Sequence, residues 1–353
     1  MSVFITILIF LAILVVVILV HELGHFITAK LRGVRVEELG LGFPPRILSF
    51  TRGDTVYSLN LIPIGGFCRM SGEEDPNVPG GLAEKSIKTR LLIISAGSLF
   101  MLLLPLLLLP MAHMIPMERY VEDGGIRVTR VAPGSPAEAA GIESGDIILS
   151  VDGQEVKTLD DIEQAIEPKP PGSEVTLLLL RDTTEFETSL IPRPDPPEGE
   201  GPMGVELGPV TETRAYPPWE AIPKGLGDYG QMFVNMKDAI AGVIQGQEEL
   251  VVVGPIGIAQ LTGEVAKGGA YPLILFSALL SMILAIVNLL PIPALDGGRI
   301  ALLFLEVVRR GKRISPRRES LINMIGFALL ITLLLVVSYN DILRIIQGGS
   351  MLP

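Results

Sequence analysis

Two histidines and a glutamate stand together near the start of the chain, in the run His21-Glu22-Leu23-Gly24-His25. Positions i and i+4 share one face of a helix, so His21 and His25 can present two imidazole nitrogens to one metal ion. Glu22 lies one residue further round the helix and can polarise water instead of binding the ion. The motif is short, and a pair of interfacial histidines at a membrane edge is the alternative. On its own it predicts an incomplete zinc site.

A second segment could supply the missing ligand. Residues 288–298 read Asn-Leu-Leu-Pro-Ile-Pro-Ala-Leu-Asp-Gly-Gly, where two prolines break an apolar helix and two glycines let the backbone turn beside Asp296. A carboxylate at membrane depth is a functional candidate, and a metal ion is its expected partner here. Two histidines and one aspartate would leave the fourth tetrahedral position to water, which is the arrangement of catalytic zinc sites.

Composition places both motifs in a membrane protein. The mean hydropathy is +0.49 over 353 residues and 48% of them are hydrophobic, which is too apolar for an ordinary soluble enzyme. Four apolar stretches are long enough to cross about 30 Å of hydrocarbon. They predict transmembrane helices within 1–32, 91–117, 271–298 and 320–353. The first has no basic start and no small-residue cleavage site, so we predict a retained helix and not a signal peptide.

Charge predicts the orientation of these spans. Segment 30–90 carries nine Lys or Arg and segment 299–318 carries seven, so both should lie in the cytoplasm. Segment 118–267 has twenty-seven acidic against eleven basic residues and should lie outside, and its charge excludes nucleic acid as a partner. Spans one and three then run parallel, so the histidine pair and Asp296 should reach similar depths, where they could meet.

The segment between the first two spans, 33–90, has a β-like pattern. Alternating residues at 55–62 are followed by Gly65-Gly66-Phe67, which predicts a hairpin or looped sheet near the membrane surface. A plain connecting loop is the alternative.

The segment 118–200 alternates strands with two short helices, has a helix start at Ser135-Pro136 and a hairpin turn at Asp152-Gly153, and resembles a PDZ domain. Segment 201–270 is predicted as a linker and a helix whose apolar stripe either lies on the membrane surface or packs against a span. Segment 299–319 is predicted as a basic cytoplasmic loop.

The two metal motifs, the glycine-rich loop after 55–62 and a PDZ unit between spans two and three resemble the site-2 protease family of zinc intramembrane metalloproteases, of the bacterial RseP/RasP type. The resemblance covers nearly the whole chain, and both motifs in this order are far more specific than either alone. It implies a multi-span α-helical membrane protein with four transmembrane helices, a membrane-associated β-hairpin or loop, and one extracytoplasmic α+β PDZ domain.

The resemblance also implies roles for individual residues. One zinc ion per chain would be held by His21, His25 and Asp296, with Glu22 as general base and acid. Asn288 would steady the substrate or the oxyanion, since a side-chain amide can donate to a developing negative charge. A hydrogen bond between helices is the alternative for Asn288.

The same resemblance implies how substrate binds, and the chain departs from the family pattern at two points. Residues 55–62 and the glycine-rich loop would hold the substrate extended by strand addition. The family usually has Gly-Pro and, three residues later, Asn in the second span, where this chain reads Gly97-Ser98-Leu99-Phe100-Met101. There is also one PDZ unit where the RseP type has two.

The function expected is regulated intramembrane proteolysis of single-span membrane proteins, such as anti-sigma factors or remnant signal peptides, by a zinc endopeptidase. Its partners would be transmembrane segments of substrates, the lipid bilayer, and a peptide or substrate ectodomain at the PDZ domain. The location would be the bacterial inner membrane, with the active site towards the cytoplasm. A non-catalytic scaffold is the alternative, against which an intact Glu22 argues. A metal or ion transporter would need more intramembrane polar residues.

Overall fold

The structure is a computed structural model that describes residues 2–347 except 74, 76, 122–123, 167–169, 171, 198–199 and 248–251. Its helices and strands are α1 (Val3–Leu31), β1 (Val36–Arg52), β2 (Thr55–Met70), α2 (Ile87–Leu103), α3 (Pro105–His113), β3 (Met117–Tyr120), β4 (Ile126–Val131), α4 (Pro136–Ala139), β5 (Ile147–Val151), β6 (Gln154–Glu155), α5 (Leu159–Ile166), β7 (Val175–Arg181), β8 (Thr184–Leu190), β9 (Val205–Pro209), β10 (Thr211–Arg214), α6 (Pro218–Ile244), α7 (Pro255–Ala266), α8 (Ala270–Leu289), α9 (Asp296–Val308) and α10 (Pro316–Ile346). They form two compact units, which we call the membrane unit (Met1–Ile115 with Tyr216–Pro353) and the PDZ-like unit (Pro116–Ala215).

Four helices of the described chain are long and apolar enough to cross a membrane, as predicted. They are Val3–Leu31, Ile87–His113, Ala270–Leu289 and Arg317–Ile346. Their apolar side chains are widely exposed, for example Leu335 at 67%, which suits contact with lipid and not with water. Helices α1 and α2 cross closely, because a Cβ at Gly24 would lie 2.8 Å from the carbonyl carbon of Ala96.

Strands β1 and β2 form the predicted hairpin, but both bend and make a sheet of four segments. Leu39 of β1 pairs with Cys68 on one side and with Tyr57 on the other. The segments therefore lie side by side in the order 66–70, 36–41, 56–59 and 48–52. We call residues 66–70 the edge segment, since among the described pairings it pairs only with 36–41.

This order bears on the strand addition expected at 55–62 and the glycine-rich loop, which stays a prediction. Residues 56–59 pair with β1 residues on both sides, so their backbone groups have no open edge for another strand. The Ser58 hydroxyl also donates to the buried Glu38 carboxylate (2.7 Å). The described pairings leave two outer segments in this sheet, the edge segment and residues 48–52.

The PDZ-like unit contains the predicted order of strands and short helices. Its main sheet has the order β8-β7-β5-β4-β9, with β6 paired to β5, while β3 and β10 form a separate pair. Asp152 and Gly153 form the expected turn, both with positive φ (49° and 77°). The predicted boundary at residue 200 is too early, because β9 returns to the sheet and pairs with β4.

An ion pair between the buried Asp146 and the partly exposed Arg181 supports this unit. Arg181 donates to Asp146 through Nε (2.7 Å) and Nη2 (2.8 Å), and the Glu143 amide also donates to it (2.8 Å). Burial disfavours the charged carboxylate, but these hydrogen bonds outweigh it and hold the pKa of Asp146 below its ordinary value.

Two segments of the membrane unit differ from the sequence prediction. The basic loop expected at 299–319 is helical up to Val308, because α9 buries Glu306 against Arg90 of α2 in a 2.6 Å ion pair. In α6, Gly225 packs against Pro110 of α3, so this helix packs on a span. The apolar stripe predicted for α6 stays about half exposed, as at Ile222 (50%).

Candidate metal centre

The three predicted metal ligands are carried by two helices of the membrane unit. His21 and His25 lie near the end of α1, and Asp296 is the first residue of α9. The chain turns into α9 through Ala294, whose φ is +75°. Gly298 allows the turn to close on itself, because a Cβ there would lie 2.9 Å from Pro293 Cα. The prolines and glycines of this motif therefore position the carboxylate.

The three predicted ligands meet. His25 Nε2 lies 3.2 Å from His21 Nε2 and 3.3 Å from Asp296 Oδ2, and His21 Nε2 lies 3.5 Å from the same oxygen. Tetrahedral zinc with ligands at about 2.0–2.1 Å places the ligand atoms about 3.3–3.4 Å apart. Asp296 Oδ2 is buried and accepts no hydrogen bond within the described chain. The donor set and its spacing fit one zinc ion, and no other described group of three does so.

A hydrogen bond fixes the orientation of one ligand. His25 Nδ1 lies 2.9 Å from the carbonyl oxygen of Ile93, which can only accept. The proton therefore sits on Nδ1, and Nε2 keeps its lone pair for a metal. No sequence pattern indicates this partner, because any residue type can supply a backbone carbonyl.

Gly97 of α2 leaves room for the histidine rings. A Cβ at this position would lie 2.6 Å from His21 Cε1 and 2.8 Å from His21 Nδ1. The glycine of the 97–101 run is thus required by the site, and its position opposite the histidines was not apparent in the sequence.

We expect Gly97→Val to weaken zinc binding about 10–100-fold, because the added methyl groups displace a ligand ring. Zinc affinity can be measured by competition with a chromophoric chelator on the purified full chain. Gly227→Ala is a matched control, since a Cβ at that position would meet no atom within 4 Å. Wild-type zinc affinity in Gly97→Val would contradict the packing of α2 against the site.

Glu22 lies between the ligands and the edge segment. Its residue is 8% exposed. A Cβ at Gly66 would lie 2.9 Å from Glu22 Cγ, so the backbone of the edge segment passes directly over this side chain. A cavity of about 760 Å³ is lined by Glu22, the three ligands, the edge segment, Glu73 and Arg299 among others. A carboxylate, a ligand triangle and an open strand edge thus face one cavity.

Asn288 is not brought into the ligand group. Its Nδ2 donates to Met101 Sδ at 3.8 Å, across helices α8 and α2. Met101 occupies the position where the family pattern has Asn, so a weak thioether acceptor replaces that polar contact. The observed contact is of the helix–helix kind named as the alternative, and the oxyanion role of Asn288 stays a prediction.

His113 lies apart from the ligands. It is buried at the end of α3, where its Nε2 contacts Asp228 of α6 at 2.7 Å. Two residues that the sequence analysis missed do line the metal cavity, Glu73 and Arg299. The available signal for Arg299 was its spacing, since it follows Asp296 by three residues and shares its helix face.

Comparison with known proteins identifies the family of the chain. A sequence model of peptidase family M50 matches residues 9–333. A candidate zinc metalloprotease of Clostridium perfringens is 34% identical over 329 residues, covering 92% of this chain and 95% of that protein. The regulator of sigma-W protease RasP of Bacillus subtilis is 28% identical over 428 residues, covering 96% of this chain and 99% of that protein. The crystal structure of the PDZ domain of an SdrC-like protein from Listeria monocytogenes is 21% identical, covers 24% of this chain and 87% of that one, and has a TM-score of 0.22.

Proposed function

The chain belongs to peptidase family M50, and from this premise we propose which residues perform its intramembrane zinc proteolysis. His21, His25 and Asp296 hold one zinc ion, and Glu22 is the general base. The observation that carries the assignment is the triangle of ligand atoms, with sides of 3.2, 3.3 and 3.5 Å. A zinc ion bound by these residues would lower the pKa of a water molecule and would polarise a peptide carbonyl.

The remaining chemistry falls to the side chains. Glu22 accepts the proton of the attacking water and returns it to the leaving amide nitrogen. The Ile93 carbonyl keeps His25 in the tautomer that a metal needs. Asn288 gives up only a weak bond to Met101 when it turns to donate to the developing oxyanion.

The substrate binds as an extended strand along the edge segment. A peptide bond inside a helix is shielded by its own hydrogen bonds, so a transmembrane substrate must unwind before water reaches its carbonyl. An added strand at 66–70 regains the lost backbone hydrogen bonds, and Gly66 places it beside Glu22. The support is the open edge and the shared cavity.

Disulfide cross-linking tests this binding mode. Arg69, 59% exposed in its side chain, is replaced by cysteine in a Cys68→Ser, Glu22→Gln chain, and single cysteines are placed along a single-span substrate. We expect cross-links to the substrate residues that flank the scissile bond. Ser49→Cys is the matched control, because Ser49 is exposed on the opposite outer segment of the same sheet. Cross-links from position 49 and none from position 69 would overturn the proposal.

The membrane setting is proposed from charge. The basic segments 30–90 and 299–318 lie in the cytoplasm of a bacterial cell, and the acidic PDZ-like unit lies outside. The substrates are single-span proteins, and the sigma-W regulator named among the relatives supports anti-sigma factors as one class. The PDZ-like unit receives a peptide or a substrate ectodomain at the open edge of β9. A non-catalytic scaffold is not favoured, since Glu22 and the full ligand set are intact.

A further inference from the structure

An ion pair joins the edge segment to the helix that carries Asp296. Arg299 Nη1 of α9 donates to Glu73 Oε1, three residues beyond the end of β2. Both side chains line the same cavity as the ligands. Among the described residues, this ion pair joins the end of the sheet that borders the cavity to helix α9.

Glu73 is attached to the edge segment at its other oxygen. The amide of Met70, the last residue of that segment, donates to Glu73 Oε2 at 3.4 Å. The two residues between the edge segment and Glu73 are also held in place, because Leu82 N donates to Ser71 O (2.9 Å) and Ala83 N donates to Gly72 O (3.0 Å). Movement of Glu73 would therefore move the end of the edge segment.

Arg299 is linked to the metal centre because it belongs to the same helix, α9, as the ligand Asp296. It follows Asp296 by three residues, about one turn, so the two side chains emerge from the same helix face. The ion pair thus sets the distance between an open strand edge and a zinc ligand.

That distance decides which peptide bond is cut. A strand added to an edge advances by about 3.3 Å per residue, and a slip of one residue also reverses its side chains. We propose that Glu73 and Arg299 are positioning residues that hold the edge segment in one register relative to the metal centre and so select the scissile bond. This inference rests on the proposed binding of substrate at the edge segment.

The test is the position of the cut. The full chain in liposomes is given a single-span substrate, and the product ends are identified by mass spectrometry. In Glu73→Gln and Arg299→Met, the ratio of cleavage at the main bond to cleavage at neighbouring bonds should fall about fivefold, the size expected for a partly exposed ion pair. Zinc content should stay at one per chain.

Two controls separate positioning from folding. Arg299→Lys keeps the charge and should retain the wild-type ratio. Asp238→Asn removes one member of an exposed pair on α6 (3.0 Å from Lys237) and should change nothing. An unchanged ratio in both Glu73→Gln and Arg299→Met, whatever their rates, would overturn the inference. If Arg299→Met loses zinc, the cleavage ratio of Glu73→Gln alone tests the inference, because Glu73 lies outside the helices that carry the ligands.

Variants without measurable cleavage are read by cross-linking from Arg69→Cys in the Glu22→Gln chain. The inference predicts that Glu73→Gln spreads the cross-links over more substrate positions. Cross-links confined to the original positions would overturn the inference but would still support substrate binding at the edge segment. If the chain with an intact Glu73–Arg299 pair forms no cross-links from position 69, both the proposed substrate binding at the edge segment and the inference are overturned.

Discussion

Glu22→Gln is expected to lower the rate of substrate cleavage about 10²–10⁴-fold, the contribution typical of a positioned general base. The amide has nearly the shape of the carboxylate but cannot accept the proton of water. Zinc should remain bound at one per chain, because Glu22 does not supply any of the three ligand atoms. The measurement is cleavage of a purified single-span substrate in liposomes, with zinc determined on the same sample.

The matched control for this variant is Glu185→Gln, an exposed glutamate on β8 of the PDZ-like unit. It should cleave at the wild-type rate. Undiminished cleavage by Glu22→Gln would remove Glu22 from the mechanism and would favour another base.

Replacing the ligands is expected to remove both metal and activity. In the His21→Ala, His25→Ala double variant, and in Asp296→Ala, zinc affinity should fall by more than about 100-fold, beyond the cost of losing an outer-shell partner. Cleavage should fall in parallel, and a strong chelator should have the same effect on the wild-type chain. Equilibrium dialysis against buffered zinc measures the affinity.

The third histidine of the chain provides the control for the ligand variants. His113 contacts Asp228 and lies outside the ligand group, so His113→Gln should keep one zinc per chain. Zinc retained at wild-type affinity in the double histidine variant would show that the metal is held elsewhere.

The metal centre could be predicted from sequence because its determinants are local or topological. The spacing of His21 and His25 fixes their common helix face. The basic segments predict that spans one and three run parallel, and this prediction was enough to place Asp296 at the depth of the histidines. Proline and glycine in the 288–298 segment indicated the turn that presents the carboxylate. The structure shows all three together.

The outer segments of the sheet were predicted less well than the metal centre, for a physical reason. Alternation at 55–62 identifies a strand, but it does not show on how many sides that strand is paired. Both neighbours of 56–59 come from β1, which bends to reach them, and residues 66–70 form the outer segment that passes Glu22. The Glu73–Arg299 pair joins residues far apart in sequence, and no local pattern marks such a pair.

Helix α9 shows a similar limit. Seven basic residues in 299–318 favoured a loop, although apolar residues recur between Ile300 and Val308. Burial of Glu306 against Arg90 provides a tertiary partner that stabilises the helix. Met101 opposite Asn288 is a different case, because the sequence showed that the family asparagine was replaced but could not show by what contact.

The central claim is that His21, His25 and Asp296 hold the zinc ion. Zinc X-ray absorption on the purified full chain tests it most directly, since this method counts imidazole ligands and separates sulfur from lighter donors. We expect two imidazole nitrogens with oxygen ligands at about 2.0–2.2 Å and no sulfur. A sulfur shell at about 2.3 Å, which Cys68 could supply, or fewer than two imidazoles, would contradict it.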